Sequence, residues 1–85
     1  MEEFRWSEEK NRQLKETRHI SFEEILASRF IDIVDNPGHV NQVILLFEYE
    51  EYVWVVPCVI DGRYLFAKTA FPSRKYTKQC KRGVL

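Results

Sequence analysis

The chain has 85 residues, 45% hydrophobic and 14% aromatic, with 13 basic and 13 acidic side chains. This length predicts one domain over residues 1–85, and the apolar content excludes a disordered or linker-like chain. The apolar runs are too short to cross a bilayer and the first residues do not resemble a signal peptide, so we expect a cytoplasmic protein with no membrane partner. Cys58 and Cys80 lack disulfide-framework or metal-ligand spacing, so we expect free thiols, no metal and no cofactor.

The balanced total hides a segregation of charge along the chain. Residues 1–24 carry a net charge of −2, residues 25–62 carry −5, and residues 63–85 carry +7 with no acidic side chain. The basic segment is interleaved with aromatic rings, which can stack on nucleobases. Because nothing within the segment neutralises its cations, we expect a polyanionic partner, either a nucleic acid or an acidic protein surface.

The first elements in the chain are a short strand and a charged helix. Alternating polar and apolar residues predict a strand over 3–6 with Phe4 and Trp6 facing inward. Ser7 is a candidate N-cap for a helix that runs to about Thr17. This helix is charged nearly all round, so we expect it at the edge of the fold.

A second helix begins at a capping box formed by Ser21 and Glu24. Its apolar spacing continues to about Arg29, where we expect the helix to fray. Residues 30–34 are β-branched or aromatic and alternate with polar residues, which allows a further strand. The sequence Asn-Pro-Gly at 36–38 ends this stretch.

After this point the apolar period changes to two. Strands are predicted over 42–49 and 52–60, joined at Glu50-Glu51, a turn pair without Gly or Asn. Pro57 has no backbone donor, so it predicts an edge position or a bulge in its strand.

The last third of the chain begins with Asp61-Gly62, a strong signal for a hairpin turn. A strand over 63–71 follows, and Ser73 is a candidate N-cap for a short basic helix over 74–81. The order of elements is β-α-α, then an antiparallel meander of three or four strands, then a helix, which is the α+β class.

Several single residues have an expected place in this arrangement. Asn11 lies on a polar helix, where it is either solvated or in contact with a substrate. Each of His19 and His39 lies in or near a loop, which is typical of surface residues. Five large aromatic residues and one cysteine are expected to pack in the core: Trp6, Phe22, Phe30, Trp54, Phe66 and Cys58.

The opening of the sequence resembles BrnT-type toxins. Residues 4–11, Phe-Arg-Trp-Ser-Glu-Glu-Lys-Asn, are similar to a Trp-Asp-x-x-Lys-Asn segment before the first helix of that family. Residues 20–24, Ile-Ser-Phe-Glu-Glu, are similar to the segment that follows that helix. Pro-Ser-Arg-Lys at 72–75 stands where the family has a Ser-Ala-Arg segment that opens the last helix.

This resemblance implies a RelE-like fold and the toxin of a bacterial type II toxin–antitoxin pair. The implied activity is metal-independent cleavage of RNA. The implied partner is a ribbon-helix-helix antitoxin similar to BrnA, and operator DNA would be contacted only through that antitoxin. RelE-like enzymes rely mainly on Arg and Lys, and the matching candidates here are Arg74 and Lys68, which would bind the scissile phosphate. RNA binding is assigned to further cations and to one ring: Lys10, Arg63, Lys75, Tyr76 and Lys78.

The sequence also departs from the family pattern. Thr17-Arg18-His19 stands where the family has Lys-His-Gly. The family's Glu-Arg pair after the second meander strand has no clear equivalent, and Asp61 and Arg63 flank Gly62 instead. The family's arginine in its last strand corresponds to Lys68 or to Thr69. These departures leave open a catalytically inactive module that keeps the toxin fold and binds an antitoxin or nucleic acid. In either case the acidic residues 32–51 would suit a basic antitoxin segment.

Overall fold

The computed structural model describes residues 3–36 and 38–83, which form three helices and six strands. The helices are α1 (Glu8–Arg18), α2 (Phe22–Leu26) and α3 (Arg74–Lys81). The strands are β1 (Glu3–Trp6), β2 (Arg29–Asp35), β3 (Gln42–Tyr49), β4 (Tyr52–Asp61), β5 (Tyr64–Ala67) and β6 (Phe71–Pro72). The predicted α+β class is therefore confirmed.

The strands form one sheet in the order β1-β5-β4-β3-β2, with β6 paired to β4. Strands β2 to β5 are an antiparallel meander, so the optional strand predicted at 30–34 is real and gives the meander four members. Strand β1 pairs with β5 in parallel, a long-range contact that local patterns do not encode.

Side-chain caps define where each helix begins. Ser7 accepts a hydrogen bond from the Lys10 backbone N–H at 3.3 Å. Ser21 and Glu24 form the predicted capping box, with the Glu24 N–H donating to Ser21 Oγ at 3.1 Å. Ser73 caps α3 by accepting from the Tyr76 N–H at 3.2 Å. These three signals are local, because each cap bonds within three residues of itself.

The helices lie on both faces of the sheet. Helices α1 and α2 cover one face through Leu14, Phe22 and Ile25, which pack against inward residues of β3, β4 and β5. On the other face α3 packs over β3 and β4, and its Tyr76 and Cys80 contact the cluster of Leu46, Val53 and Val55. The larger share of the core therefore lies under α1 and α2.

Two predicted boundaries were wrong. Helix α2 ends at Leu26 rather than near Arg29, because Arg29 begins β2 and pairs with Glu48. The strand predicted over 63–71 is split, with residues 68–70 outside regular structure. Between the two pieces the Lys68 N–H still donates to the Pro57 carbonyl at 2.9 Å.

Pro57 does not lie on an edge strand, and the register of β4 with β3 is continuous through it, so its own strand has no bulge towards β3. On the other side the register shifts by one residue between the pairs Cys58–Ala67 and Val55–Phe71, so the irregularity lies in the neighbouring strand. The proline is tolerated for a local reason. Its carbonyl faces Lys68, in the gap between β5 and β6, and the backbone N of the same residue faces the same way. The missing N–H therefore falls where the neighbouring strand is interrupted.

Two aromatic residues predicted in the core are exposed. Phe30 is 53% exposed because β2 is an edge strand, where its ring makes an edge-to-face contact with Phe47 at 5.7 Å. Phe66 is 40% exposed because it points to the face opposite α1 and α2. Phe22 and Cys58 are buried as predicted, and Trp6 and Trp54 pack at the margin of the core.

Candidate functional site

A cavity opens where the end of α1 meets the hairpin between β3 and β4. Its volume is about 450 Å³, within the range of small-molecule sites. The end of α1 and the residues after it contribute a cation, an imidazole and an apolar side chain. The hairpin contributes a carboxylate and three aromatic rings, and β6 closes one side of the cavity. The lining residues are Arg18, His19, Ile20, Tyr49, Glu50, Tyr52, Trp54 and Pro72.

Two of these lining residues hold left-handed backbone conformations. His19 is the C-cap of α1 with φ 58°, and its N–H donates to the Lys15 carbonyl at 3.1 Å. Glu50 and Glu51 form a two-residue turn with φ 51° and 67°, flanked by the paired Tyr49 and Tyr52. Such turns favour Asn-Gly, because side chains other than Asn and Gly are strained at positive φ. Strain of this kind clusters at functional sites.

A hydrogen-bond network holds one wall of the cavity in place. The Tyr49 hydroxyl donates to Glu24 Oε2 at 3.1 Å, while Glu24 Oε1 accepts from the Ser21 N–H and hydroxyl. The bond to Glu24 raises the pKa of Tyr49 above its ordinary value, and desolvation and the Glu50 carboxylate add to the effect. Tyr49 is therefore a fixed donor at neutral pH and not a base.

Asn11 ties α1 to α2. Its side-chain Nδ2 donates to Glu23 Oε1 at 2.7 Å, and its Oδ1 accepts from the Phe22 N–H at 2.9 Å. The side chain is buried and satisfied, so neither a solvated nor a substrate-contacting Asn11 is correct. The bond from Asn11 lowers the pKa of Glu23. This clamp fixes the angle between the helices and therefore the place of the His19–Ile20 connection.

A smaller cavity of about 220 Å³ adjoins the larger one, and Arg18 lines both. Lys10 and Thr69 are also in its wall, together with Gln13 and Thr17. Lys10 is therefore in the same groove as Arg18. Of the two alternatives for the family's last-strand arginine, Thr69 lies at this cavity, whereas Lys68 does not line it.

The combined groove offers the components of general acid–base chemistry on a phosphodiester. The Arg18 guanidinium can bind a phosphate in a bidentate manner. The Glu50 carboxylate can accept a proton and the His19 imidazolium can donate one. The rings of Tyr52 and Trp54 can stack on a base.

The predicted site residues do not all meet at this groove. Arg74, the first residue of α3, lines neither cavity, although it follows the lining residue Pro72 by two positions. Arg63 lies at the hairpin between β4 and β5, where its carbonyl accepts from the Glu3 N–H. Lys68 continues the row of Phe66 on the face that carries α3.

The remaining predicted residues lie on α3. Lys75 and Lys78 are exposed, and the Lys75 ammonium lies 5.5 Å from the centroid of the Tyr76 ring. The Tyr76 ring packs partly against the sheet, so only part of it is free to stack on a base. Thr77 anchors the helix by accepting from the Val53 N–H at 2.9 Å.

The sequence pattern gave no catalytic role to the residues that build the larger cavity, and it placed Glu50 only in the acidic segment 32–51 that would suit an antitoxin. Arg18, His19 and Glu50 were either placed at the surface or noted as departures from common patterns. Two signals could have found them: a Glu-Glu pair in a tight hairpin turn, and a histidine where the resembling family has glycine. Both indicate side chains held at positive φ for a reason other than local stability.

The structure gives less support to a cysteine nucleophile, a metal site or a membrane-spanning helix. Burial raises the pKa of the Cys58 thiol to about 12, so it is not a nucleophile at neutral pH. Within residues 3–36 and 38–83, no three His, Cys, Asp or Glu side chains are grouped to hold a metal ion. In the same residues, no helix is both long and apolar enough to span a membrane.

Comparison with known proteins supports the fold. No protein-family profile and no curated protein sequence matches the chain. A match among solved structures is the crystal structure of the Brucella abortus ribonuclease toxin BrnT, with a TM-score of 0.56 and 14% sequence identity. The match covers 86% of this chain and 97% of BrnT. The chain therefore has the BrnT toxin fold, and the BrnT-like resemblance of the sequence is confirmed at the level of fold.

Proposed function

We propose that this chain is a BrnT-like toxin of a bacterial type II toxin–antitoxin pair, acting as a single RelE-like domain in the cytoplasm. Its activity would be metal-independent cleavage of RNA. One observation carries the proposal: the fold of a ribonuclease toxin occurs together with a cavity where a guanidinium, an imidazole, a carboxylate and aromatic rings converge. A fold alone does not specify activity, so the site is the stronger part of the argument.

The proposed reaction is attack by a ribose 2′-oxygen on the adjacent phosphorus. Glu50 accepts the 2′-hydroxyl proton, and His19 donates a proton to the leaving 5′-oxygen. The products are a 2′,3′-cyclic phosphate and a free 5′-hydroxyl. Arg18 neutralises the charge that develops on the phosphate oxygens. Arg74, two positions after the lining residue Pro72, adds its charge from outside the cavity. Lys10 in the adjoining cavity binds the next phosphate, whereas Lys75 and Lys78 lie on α3, on the other face of the sheet, and bind RNA there.

The test is induction of the chain in a bacterium, with growth and total RNA followed together. We expect growth arrest with loss of RNA for the wild type, and normal growth for His19→Ala and Arg74→Ala at equal protein level. Lys81→Ala, at an exposed cation on the last turn of α3, is the matched control and should stay toxic. Intact RNA during induction of folded wild-type protein would contradict the proposal.

The partner proposed for the toxin is a ribbon-helix-helix antitoxin similar to BrnA. Its docking segment would be basic, because Asp32, Asp35, Glu50 and Glu51 are exposed within the segment 25–62 of net charge −5. Reversing the charge of Glu50 and Glu51 should weaken antitoxin binding, measured by calorimetry with the product of the adjacent gene. An unchanged affinity would remove this surface from the interface.

A second candidate function is a binding module without catalysis. The position of Lys68 on the other face of the sheet favours it, because this cation then does not line the groove. This alternative predicts RNA binding with a steep salt dependence and no cleavage. A wild-type protein that binds RNA tightly and leaves it intact would support the alternative over the nuclease.

A further inference from the structure

A second aromatic surface lies on the sheet face that carries α3, away from the larger cavity. Side chains alternate between faces along a strand, so Tyr64 and Phe66 share this face, while Leu65 and Ala67 point into the core under α1 and α2. Helix α3 covers the part of the face formed by β3 and β4. It leaves the Phe66 ring 40% exposed.

A planar cation lies over the neighbouring Tyr64 ring. The Arg5 guanidinium carbon is 3.9 Å from the centroid of the Tyr64 ring, and Glu3 Oε2 lies 3.7 Å from the same guanidinium. The parallel register of β1 and β5 places Arg5 next to Phe66. Phe66 and Arg5 therefore offer two adjacent flat groups, and both kinds of group stack on unpaired bases in RNA complexes.

The charge around this surface increases in one direction along β5. Glu3 and Asp61 flank Tyr64 in neighbouring strands and balance Arg5 and Arg63 at the hairpin end. Towards the other end, the backbone bond between Lys68 and Pro57 continues the register, so Lys68 follows Phe66 on the same face. Beyond it lies α3, which carries no acidic residue.

We propose that Phe66, Arg5 and Lys68 form a platform that binds single-stranded RNA outside the proposed cleavage site. One base stacks on the Phe66 ring, a neighbouring base stacks on the Arg5 guanidinium, and the backbone runs towards Lys68 and α3. The net positive charge of residues 63–83 selects this occupant, because it attracts a polyanion and repels a basic protein segment. The inference rests on the proposed function only in taking RNA as the substrate.

The test measures binding of a fluorescein-labelled 2′-O-methyl RNA of about twelve nucleotides, which cannot be cleaved at the 2′-oxygen. Fluorescence anisotropy with the full chain should show about tenfold weaker binding for Phe66→Ala and Phe66→Leu, and retained binding for Phe66→Trp. Leucine keeps the apolar volume but not the ring, so it separates stacking from simple burial. Phe30→Ala, which removes another exposed phenylalanine, is the control and should bind as the wild type.

Two further variants make the test independent of Phe66. Arg5→Ala should weaken binding by several fold, and Lys68→Ala should lower the slope of log affinity against log salt by about 0.7. Circular dichroism checks that each variant is folded. Unchanged affinity in folded Phe66→Leu and Arg5→Ala overturns the proposal. A wild-type dimer in sedimentation that Phe66→Ala converts to a monomer also overturns it, because the face would then join two copies of the chain.

The same variants distinguish this proposal from the proposed function. If the chain cleaves a dinucleotide and long RNA with undiminished rates in Phe66→Leu, the platform fails and the nuclease stands. If no RNA is cleaved but the platform variants lose RNA binding, the platform stands and the nuclease fails.

Discussion

The two faces of the sheet differ in how completely they are covered. Under α1 and α2, Phe22, Ile25 and Val56 are fully buried, and the Asn11 clamp satisfies the polar groups between the helices. On the other face, α3 is eight residues long, and Phe66 stays partly in water. The comparison indicates that the first face stabilises the fold, while the second face leaves aromatic and cationic side chains exposed, where they can bind a ligand.

The largest effect that would test this contrast is on stability. Phe22→Ala removes a fully buried ring that stacks on Trp6 at 5.7 Å, and we expect a loss of about 3–5 kcal/mol in the free energy of unfolding. Phe66→Ala on the other face should cost about 1 kcal/mol or less, because much of its ring is already in water. Urea denaturation measures both, with Phe22→Leu as a milder variant if the alanine variant does not fold. Equal losses would contradict the contrast.

A smaller effect is expected at the clamp between α1 and α2. Asn11→Ala leaves the Phe22 N–H without a partner in a buried place, which costs about 1–3 kcal/mol. Thr77→Val, which removes the acceptor of the Val53 N–H under α3, is the corresponding change on the other face and should cost about as much for the same reason. If the free energy of unfolding of Asn11→Ala equals that of the wild type within experimental error, water replaces the hydrogen bonds of the clamp.

The clamp also predicts a pH dependence. Asn11 lowers the pKa of Glu23 in the folded state, so this carboxylate contributes stability above its unfolded pKa. That contribution is lost as the pH falls through the folded pKa, and it should be smaller in Asn11→Ala. Urea midpoints from about pH 7 to about pH 3 measure it. If the urea midpoints of the wild type and of Asn11→Ala change with pH in parallel, the clamp is not the cause of the pH dependence.

In the turn between β3 and β4, a substitution that relieves backbone strain is expected to raise stability and lower activity. Glycine accepts positive φ without strain, so Glu50→Gly and Glu51→Gly should each stabilise the protein by about 0.5–1 kcal/mol. Only Glu50 lines the larger cavity, so only Glu50→Gly should abolish RNA cleavage. Thermal unfolding together with a cleavage assay checks both. Two variants of equal activity would show that the Glu50 side chain has no part in the reaction.

The parts of the fold that can be predicted from the sequence are those determined by residues close together in the chain. The capping box at Ser21, the Asp61-Gly62 turn and the alternation in β3 and β4 each depend on residues within a few positions of one another. The parallel pairing of β1 with β5 and the exposure of Phe30 depend on which strand becomes an edge. That choice is made by the whole sheet and not by the pattern of one strand.

The candidate site was harder to predict than the fold. His19 and Glu50 are far apart in the sequence, and each belongs to a turn whose conformation is unusual for its residue type. The resemblance to BrnT-type toxins directed attention to Arg and Lys by motif position. The sheet then separates these cations, because a residue that directly follows a strand, such as Lys68 after β5, changes face with a shift of a single position.

The most direct test of the proposed nuclease is cleavage of a single-stranded RNA by the purified chain in the presence of a metal chelator. We expect products that end in a 2′,3′-cyclic phosphate, with activity lost in Glu50→Gln and retained in Glu51→Gln, the matched change at the neighbouring residue. Equal activity of the two variants, or no cleavage by folded wild-type protein, would contradict it.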